Sequence, residues 1–341
     1  MEALRVAVTA VFVAALLAGC TSASSEGTAP TTTARAGFDL QAHRGGIGLT
    51  TEEQPAGFAK ALELGVTTLE LDTHVTRDGK VVVNHDRRIQ PVKCRDTGAA
   101  TPGDPAYPYV GKLIKDLTLA QIKTLDCGYR QLPGFPQQQV VAGARMAELS
   151  DVFDVVRKHG ATGIMMNIET KVEAGQPDET APRDVFVQTV HDEIARSGLA
   201  QQVTIQSFDW AALALMHRLE PTWRLVALST PDLLQVGQPG ASPWLGGLDI
   251  DDVGGDVARA AASVAGVTTL SPAAESVDRA MVDQAHRLGL RVVPWTVDDM
   301  GLAARLMDSG VDGIITNYPD QVRQLMQQRG MPLPPARPSV G

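Results

Sequence analysis

The feature that most limits how this chain can fold is the alternation of short β-branched runs with helical stretches between residues 38 and 316. The predicted strands span residues 40–43, 68–75, 81–85, 163–169, 203–207, 225–228, 267–270, 292–297 and 313–316, and the predicted helices span 56–64, 147–158, 184–197, 210–219, 277–288 and 300–308. A repeated strand–helix order favours a parallel sheet, and the number of units approaches the eight of a TIM (β/α)8 barrel.

Other segments of the chain have a different composition. Residues 20–36, rich in Ser, Thr and Gly, are predicted to form a flexible tether. We predict that the barrel spans residues 37–328. Residues 87–115 interrupt its order with prolines, glycines and Cys94, and we interpret them as an insertion at the barrel mouth. Residues 329–341 are predicted to be a disordered tail.

The N-terminus has the pattern of a targeting segment. Arg5 supplies a positive charge, and residues 6–16 form an apolar run that is too short to span a bilayer. The sequence LAGC at residues 17–20 resembles the bacterial lipobox, which implies a signal peptide over residues 1–19 and a diacylglyceryl group on Cys20. The alternative is an ordinary signal peptide with an incidental cysteine. The lipobox implies an exported protein anchored to the outer side of the cytoplasmic membrane.

Charge and cysteine content narrow the class of protein further. The formal net charge of -9 argues against a nucleic-acid binder, which normally has a basic face. If Cys20 is lipidated, Cys94 and Cys127 remain, and outside the cytoplasm an even pair predicts a disulfide. The alternative is two unpaired thiols.

Charged residues occur two positions apart in or next to two of the predicted strands. Glu70 and Asp72 are two residues apart, so both side chains leave the same face of their strand. Burying both without a cation is costly, and oxygen ligands favour Ca²⁺ or Mg²⁺ over zinc. Glu169 and Lys171 repeat the spacing, which gives a third candidate ligand and a cation for a phosphate oxygen. The alternatives are a solvated pair of acids and a buried Glu–Lys ion pair.

Two histidines come at predicted strand ends. His43 is followed by Arg44, whose planar guanidinium suits bidentate binding of phosphate. His85 follows a run of valines. Two imidazoles near neutral pH suit an acid and a base for proton transfer, although a single histidine at a strand end is more often structural.

Several motifs, in one order, resemble the glycerophosphodiester phosphodiesterase family. They are His43-Arg44-Gly45, Glu52, Glu70-Leu71-Asp72, Thr76-Arg77-Asp78-Gly79, His85-Asp86, Glu169-Thr170-Lys171, Gln206-Ser207-Phe208-Asp209, Pro294-Trp295-Thr296-Val297 and the run from Gly310 to Pro319. The resemblance spans residues 41–320. One departure is Thr51-Glu52-Glu53-Gln54, which stands where the family usually has Pro-Glu-Asn-Thr, so Glu52 is kept while its neighbours differ.

The resemblance implies a TIM barrel and roles for eight residues. The implied ligands of one divalent cation are Glu70, Asp72 and Glu169, and the implied catalytic pair is His43 and His85. The implied substrate contacts are Arg44 and Lys171 at the phosphate, with Trp295 near the substrate.

The sequence therefore predicts a metal-dependent enzyme that hydrolyses glycerophosphodiesters to glycerol 3-phosphate and an alcohol by paired-histidine catalysis. One alternative is an enzyme of the phospholipase C or sphingomyelinase D type, which acts on intact lipid. Another is a lipoprotein that binds phosphodiesters without turnover. A pure binder needs no second histidine, which speaks against the last alternative.

Overall fold

The computed structural model describes Met1 and residues 37–339 of the chain. The predicted signal peptide, Cys20 and the predicted tether lie outside the described residues. The strands are β1 (Asp39–Ala42), β2 (Thr68–Val75), β3 (Val81–Val83), β4 (Ala147–Glu148), β5 (Met165–Thr170), β6 (Val203–Ser207), β7 (Arg224–Ser229), β8 (Val267–Pro272), β9 (Arg291–Val292) and β10 (Gly313–Thr316).

Most helices lie between consecutive strands of the sheet. They are α1 (Pro55–Leu64), α2 (Leu119–Ile122), α3 (Leu149–Lys158), α4 (Arg183–Ser197), α5 (Trp210–Leu219), α6 (Pro231–Leu234), α7 (Val257–Ala262), α8 (Arg279–Arg287), α9 (Met300–Asp308) and α10 (Pro319–Gln328). The pattern of apolar residues did not predict α10, which follows the last strand. The helix predicted from residue 147 begins at Leu149, because Ala147 and Glu148 pair with β3.

Eight strands form a parallel sheet in the order β10-β1-β2-β5-β6-β7-β8-β9. Backbone hydrogen bonds join the two ends of this path, β9 and β10, through residues in or next to these strands. The Asp312 N–H donates to the Val292 carbonyl at 2.8 Å, and the Ile315 N–H donates to the Pro294 carbonyl at 3.0 Å. These bonds close the sheet on itself, so the predicted TIM barrel is confirmed.

Strand β2 shows how the barrel separates its two faces. Every residue of β2 is buried, as expected for a strand covered by helices outside and by side chains inside. Leu69 and Leu71 belong to the apolar core that includes the helices. Glu70 and Asp72 alternate with them and therefore point to the barrel interior. Regular pleating thus places two carboxylates on the inner face.

A long segment separates β3 from β4. Strand β3 runs antiparallel to β2 and ends at Val83, two residues before the predicted end. The segment over residues 84–146 has its own apolar cluster, which includes Ile89, Tyr109 and Ile122. The interruption is therefore wider than the predicted 87–115, because the apolar residues that follow residue 115 pack into this cluster.

Cys94 and Cys127 form a disulfide within the same segment, across a sequence separation of 33 residues. We refer to residues 84–146 as the insertion. The disulfide and the separate apolar cluster stabilise a stretch of chain that has little regular secondary structure.

The C-terminal segment differs from the predicted disordered tail. Residues 331–339 have no helix or strand, but the Arg337 N–H donates to the Leu62 carbonyl at 2.8 Å. The imidazole Nδ1 of His159 donates to the Arg337 carbonyl at 2.8 Å. These bonds connect part of the predicted tail to the barrel, although the proline-rich stretch forms no helix or strand.

Candidate active site

Three carboxylates meet on the inner face of the neighbouring strands β2 and β5. Asp72 is the register partner of Glu169 across this strand pair, and Glu70 lies two residues before Asp72. One oxygen from each of Glu70, Asp72 and Glu169 lies within 4.8 Å of the other two. The three residues are only 1%, 1% and 5% exposed. Three anions this close and this buried repel one another unless protons or a cation compensate them.

The pKa values show how the cluster is compensated without a cation. Burial raises the pKa of Glu70 well above its usual value, and the Asp72 carboxylate adds to the shift. Burial raises the pKa of Glu169 to about 8, although Lys171 opposes the shift. The pKa of Asp72 shifts in the opposite direction. Although burial raises it, Lys171, His85 and Arg44 hold it well below the usual value. The shifts therefore favour a proton on Glu70 and Glu169 and a negative charge on Asp72, and a cation bound to all three would displace the protons.

The donor set fits a hard divalent cation. The three residues offer only carboxylate oxygens, which Ca²⁺ and Mg²⁺ prefer. Asp72 Oδ2 is buried and accepts no hydrogen bond from any residue that the structure describes. The Lys171 ammonium lies 3.0 Å from Glu169 Oε1 and 3.5 Å from Asp72 Oδ1, at the edge of the cluster. This buried oxygen lies beside the Arg44 guanidinium but accepts no hydrogen bond from the described residues, so it is available to a metal ion.

Neutral amides orient Glu70 from below. The Gln206 amide donates to Glu70 Oε1 at 2.7 Å, and the Asn167 amide donates to Gln206 Oε1 at 2.7 Å. The Arg44 backbone N–H donates to Glu70 Oε2 at 2.8 Å. These partners fix the carboxylate without adding charge, as the outer partners of metal ligands do.

Arg44 lies in the tight turn that follows β1. Its backbone is left-handed, with a φ of 51°, and Gly45 and Gly46 continue the turn at φ 77° and 86°. The guanidinium donates to Glu52 Oε2 at 2.9 Å, and its Nε lies 3.4 Å from Asp72 Oδ2. Glu52 therefore holds the guanidinium beside the carboxylate cluster, where a phosphate can bind.

His43 is held through a chain of two further residues. Its Nδ1 lies 2.6 Å from the amide oxygen of Asn317, which can only accept, so Nδ1 carries the proton and Nε2 has the lone pair. The Asn317 amide donates to Asp298 Oδ2 at 2.5 Å, which fixes the orientation of the amide. Burial and the Arg44 cation lower the pKa of His43 to about 3. The imidazole is therefore neutral and presents Nε2 toward Glu70, 3.9 Å from Oε2.

His85 lies in the insertion, two residues after the end of β3. Its Nδ1 is 3.3 Å from Asp86 Oδ1, and the imidazole of His74 donates to its backbone carbonyl at 3.3 Å. Partial burial, together with Lys171 and Arg44, lowers the pKa of His85 to about 4. His74, which shares a strand face with the carboxylates, thus touches the site through the backbone of His85.

Two adjoining spaces share some of these residues. A small inner cavity of about 60 Å³ is lined by all eight residues that the sequence predicted, namely His43, Arg44, Glu70, Asp72, His85, Glu169, Lys171 and Trp295. An outer cleft of about 360 Å³ shares His85, Glu169, Lys171 and Phe208 with it and adds Trp244 at its rim. The Phe208 ring packs edge-to-face on Trp295, with centroids 5.3 Å apart. The inner cavity holds the charged groups, and the cleft adds an aromatic wall.

The predicted cysteines lie apart from this cavity, in the insertion. Four residues that support the site had no predicted role: Lys93, Gln206, Asp298 and Asn317. Gln206 and Asn317 lie near the carboxyl ends of β6 and β10, where barrel sites are built, so their position was a usable signal. Asp298 and Lys93 lie in irregular segments and had no such signal.

Comparisons with known proteins point to one family. The family model described as the glycerophosphoryl diester phosphodiesterase family matches residues 43–321. A glycerophosphodiester phosphodiesterase from Caldanaerobacter subterraneus subsp. tengcongensis is 26% identical over 289 residues, 85% of this chain and 98% of the relative.

Solved structures agree with this match. A candidate glycerophosphoryl diester phosphodiesterase from Silicibacter pomeroyi DSS-3 superposes with a TM-score of 0.72 at 28% identity, over 87% of this chain and 95% of the other. An Oleispira antarctica phosphodiesterase, solved with the product sn-glycerol-3-phosphate, has the same fold, with a TM-score of 0.60 at 19% identity over 85% and 96% of the two chains.

Fold and site together define a phosphoric diester hydrolase on a TIM barrel. The chain belongs to the glycerophosphoryl diester phosphodiesterase family, whose members depend on a divalent metal and act on glycerophosphodiesters. The predicted family resemblance is confirmed.

Proposed function

We propose that this protein hydrolyses glycerophosphodiesters to glycerol 3-phosphate and an alcohol by paired-histidine catalysis. The observation that carries the proposal is that three carboxylates, two cations and two imidazoles line one inner cavity. Glu70, Asp72 and Glu169 are the ligands of one Ca²⁺ or Mg²⁺, which supplies Lewis-acid stabilisation of charge on the phosphate when bound.

Arg44 and Lys171 bind the phosphate oxygens. Both are cations at neutral pH, because the Glu169 and Asp72 carboxylates raise the pKa of Lys171 despite its burial, and Asp72 and Glu52 do the same for Arg44. Both flank Asp72, which places fixed positive charge where negative charge grows in the transition state.

The two histidines move protons in opposite directions. His43 is neutral and its Nε2 lone pair faces the cavity, so it accepts the proton of the attacking hydroxyl. His85 lines both the inner cavity and the outer cleft. Burial and the Lys171 and Arg44 cations lower its pKa to about 4, and the negative charge of a bound phosphodiester offsets those two cations. The substrate therefore favours the protonated imidazole, which gives its proton to the departing alkoxide. The alcohol half of the diester then occupies the cleft, against Phe208 and Trp244.

A substrate comparison tests the proposal. Incubation with glycerophosphocholine should release glycerol 3-phosphate and choline, measured by coupled assays, whereas intact phosphatidylcholine and sphingomyelin should remain uncleaved. Cleavage of the intact lipids and not of glycerophosphocholine favours a phospholipase C or sphingomyelinase D type of enzyme. Binding of glycerophosphocholine without any product favours the non-catalytic lipoprotein.

The same proposal includes an exported protein, anchored through lipidated Cys20 to the outer side of the cytoplasmic membrane. The lipobox-like sequence at residues 17–20 supports it. Within the described part of the chain, no helix is long and apolar enough to cross a membrane. Cys20→Ala should release the protein from membranes with its specific activity unchanged. A variant that stays on membranes after a high-salt wash contradicts the anchor.

A further inference from the structure

The insertion contributes one lysine to the surroundings of the active site. Lys93 is partly buried, with a side chain 17% exposed, and it immediately precedes disulfide-bonded Cys94. Its ammonium lies 2.5 Å from Glu52 Oε1 and 2.6 Å from Asp86 Oδ2. One cation thus joins two carboxylates that are far apart in the sequence.

The second oxygen of each carboxylate contacts a residue of the active site. Glu52 Oε2 accepts from the Arg44 guanidinium at 2.9 Å. Asp86 Oδ1 lies 3.3 Å from Nδ1 of His85. The result is a continuous chain of polar contacts that runs from the phosphate-binding arginine to the imidazole at the cleft, with Lys93 at its centre.

The charge balance of this chain depends on Lys93. Glu52 is 8% exposed, yet Lys93 and Arg44 hold its pKa below the usual value against the effect of burial. His85 and Lys93 together hold the pKa of Asp86 below its usual value. Without the ammonium, two poorly solvated carboxylates lose a shared partner and must shift or take up protons.

We propose that Lys93 is a positioning residue of the active site, fixing Asp86 against His85 and Glu52 against Arg44. The disulfide-bonded insertion holds the lysine in place, which gives this segment a role in catalysis. The inference rests on the proposed function, since it assigns the lysine to groups that act on the phosphodiester.

Lys93→Met removes the charge and keeps most of the side-chain volume. We expect it to lower kcat/KM for glycerophosphocholine by about 10–100-fold, the usual effect of losing an outer partner of a site. The matched control is Lys115→Met, in the same insertion, where the lysine pairs with its neighbour Asp116 on the surface. The control should stay within about twofold of the wild type. Lys93→Arg restores the charge and should recover most of the activity.

Two readouts separate positioning from a general loss of stability. In a His85→Ala background, Lys93→Met should cost less than in the wild type, because one of its two routes to the site is gone. In chelator-treated protein, the NMR signals of the His85 imidazole should shift in Lys93→Met and stay in place in Lys115→Met. Equal losses in both backgrounds, or unshifted His85 signals, overturn the inference.

A second variant covers the case in which Lys93→Met does not fold. Asp86→Asn keeps the lysine and weakens only the His85 route, so it should lower kcat by about tenfold with little change in KM. An unchanged kcat in Asp86→Asn contradicts the inference. If the wild type itself fails to cleave glycerophosphocholine, the proposed function is wrong, whereas an active wild type with an indifferent Lys93→Met contradicts only the role of Lys93.

Discussion

Different forces hold the two sides of the active site. We call Glu70, Asp72 and Glu169 the carboxylate floor, and His85, Asp86 and Lys93 the insertion side. The floor lies on β2 and β5, where the pleat of regular strands directs alternate side chains inward. The insertion side lies on irregular chain, where ion pairs, a separate apolar cluster and a disulfide fix each group.

Because of this difference, substitutions on the two sides should affect the active site in different ways. The floor depends on local strand geometry, which many distant contacts support. The insertion side depends on a few specific bonds, so breaking one of them should disturb His85 while the floor still binds metal.

Removing either histidine should have the largest effect on rate. His43→Ala and His85→Ala each take away a proton-transfer group and leave the floor, Arg44 and Lys171 in place. We expect kcat to fall by roughly 10²–10⁴-fold, with a much smaller change in KM. Steady-state kinetics with glycerophosphocholine checks this. Near-normal turnover in both variants means that the two histidines are structural.

A substrate with a better leaving group should distinguish the general acid from the general base. An ester of an acidic phenol needs no proton on departure, so His85→Ala should recover much of its rate on such a substrate. His43→Ala, which lacks the base, should not recover. The reverse pattern exchanges the two roles.

Metal affinity should depend on pH because the floor holds protons when it is empty. The pKa of Glu169 is raised to about 8, so below that pH a cation must displace its proton. For one displaced proton, affinity should fall roughly tenfold for each pH unit below 8. Calorimetric titration of chelator-treated protein with Ca²⁺ at pH 6, 7 and 8 measures this. Equal affinity at the three pH values contradicts the proton-holding floor.

Removing the disulfide should affect the insertion side alone. Replacing Cys94 and Cys127 by serine frees a loop that spans 33 residues. The entropy of closing such a loop predicts that the free energy of unfolding falls by about 3–4 kcal/mol. Hydrogen exchange should show faster opening within residues 84–146 than in the wild type. Turnover of glycerophosphocholine should also fall. Calcium affinity should remain that of the wild type. A parallel loss of calcium affinity would show that floor and insertion are not independent.

Replacing Glu53 by glutamine should have the smallest effect. Burial and the Asp72 carboxylate raise the pKa of Glu53 well above its usual value, so it is already a neutral carboxyl group. It accepts the Asp72 backbone N–H at 3.1 Å, which a glutamine oxygen can also do. Activity should stay within about threefold of the wild type, whereas Glu53→Ala should lose more. Equal losses in both variants contradict a neutral Glu53.

The floor could be predicted from the sequence because its information is local. Strand β2 was predicted with its observed bounds, and the spacing of Glu70 and Asp72 fixed their common face. No local pattern predicts that β5 lies beside β2. The repeated strand–helix units do predict it, because they favour a parallel barrel. The three floor residues line one cavity for that reason, together with the five other predicted site residues.

Contacts of the insertion side and of the C-terminal segment could not be predicted from local sequence patterns. Lys93 joins Glu52 and Asp86 through tertiary contacts, and no periodicity relates these three positions. The bonds of Arg337 to Leu62 and His159 likewise depend on the finished barrel. Asp298 supports His43 only through Asn317, so its role appears only when three separate segments are in place.

The most direct test of the account is the release of glycerol 3-phosphate from glycerophosphocholine with the metal removed and restored. After treatment with EDTA, turnover should be abolished, because the floor then holds protons in place of the cation. Addition of Ca²⁺ or Mg²⁺ should restore it, and the same addition should restore nothing in Asp72→Asn, whose floor lacks one carboxylate. Full activity in a metal-stripped wild-type sample would contradict the central claim that these three carboxylates hold a catalytic cation.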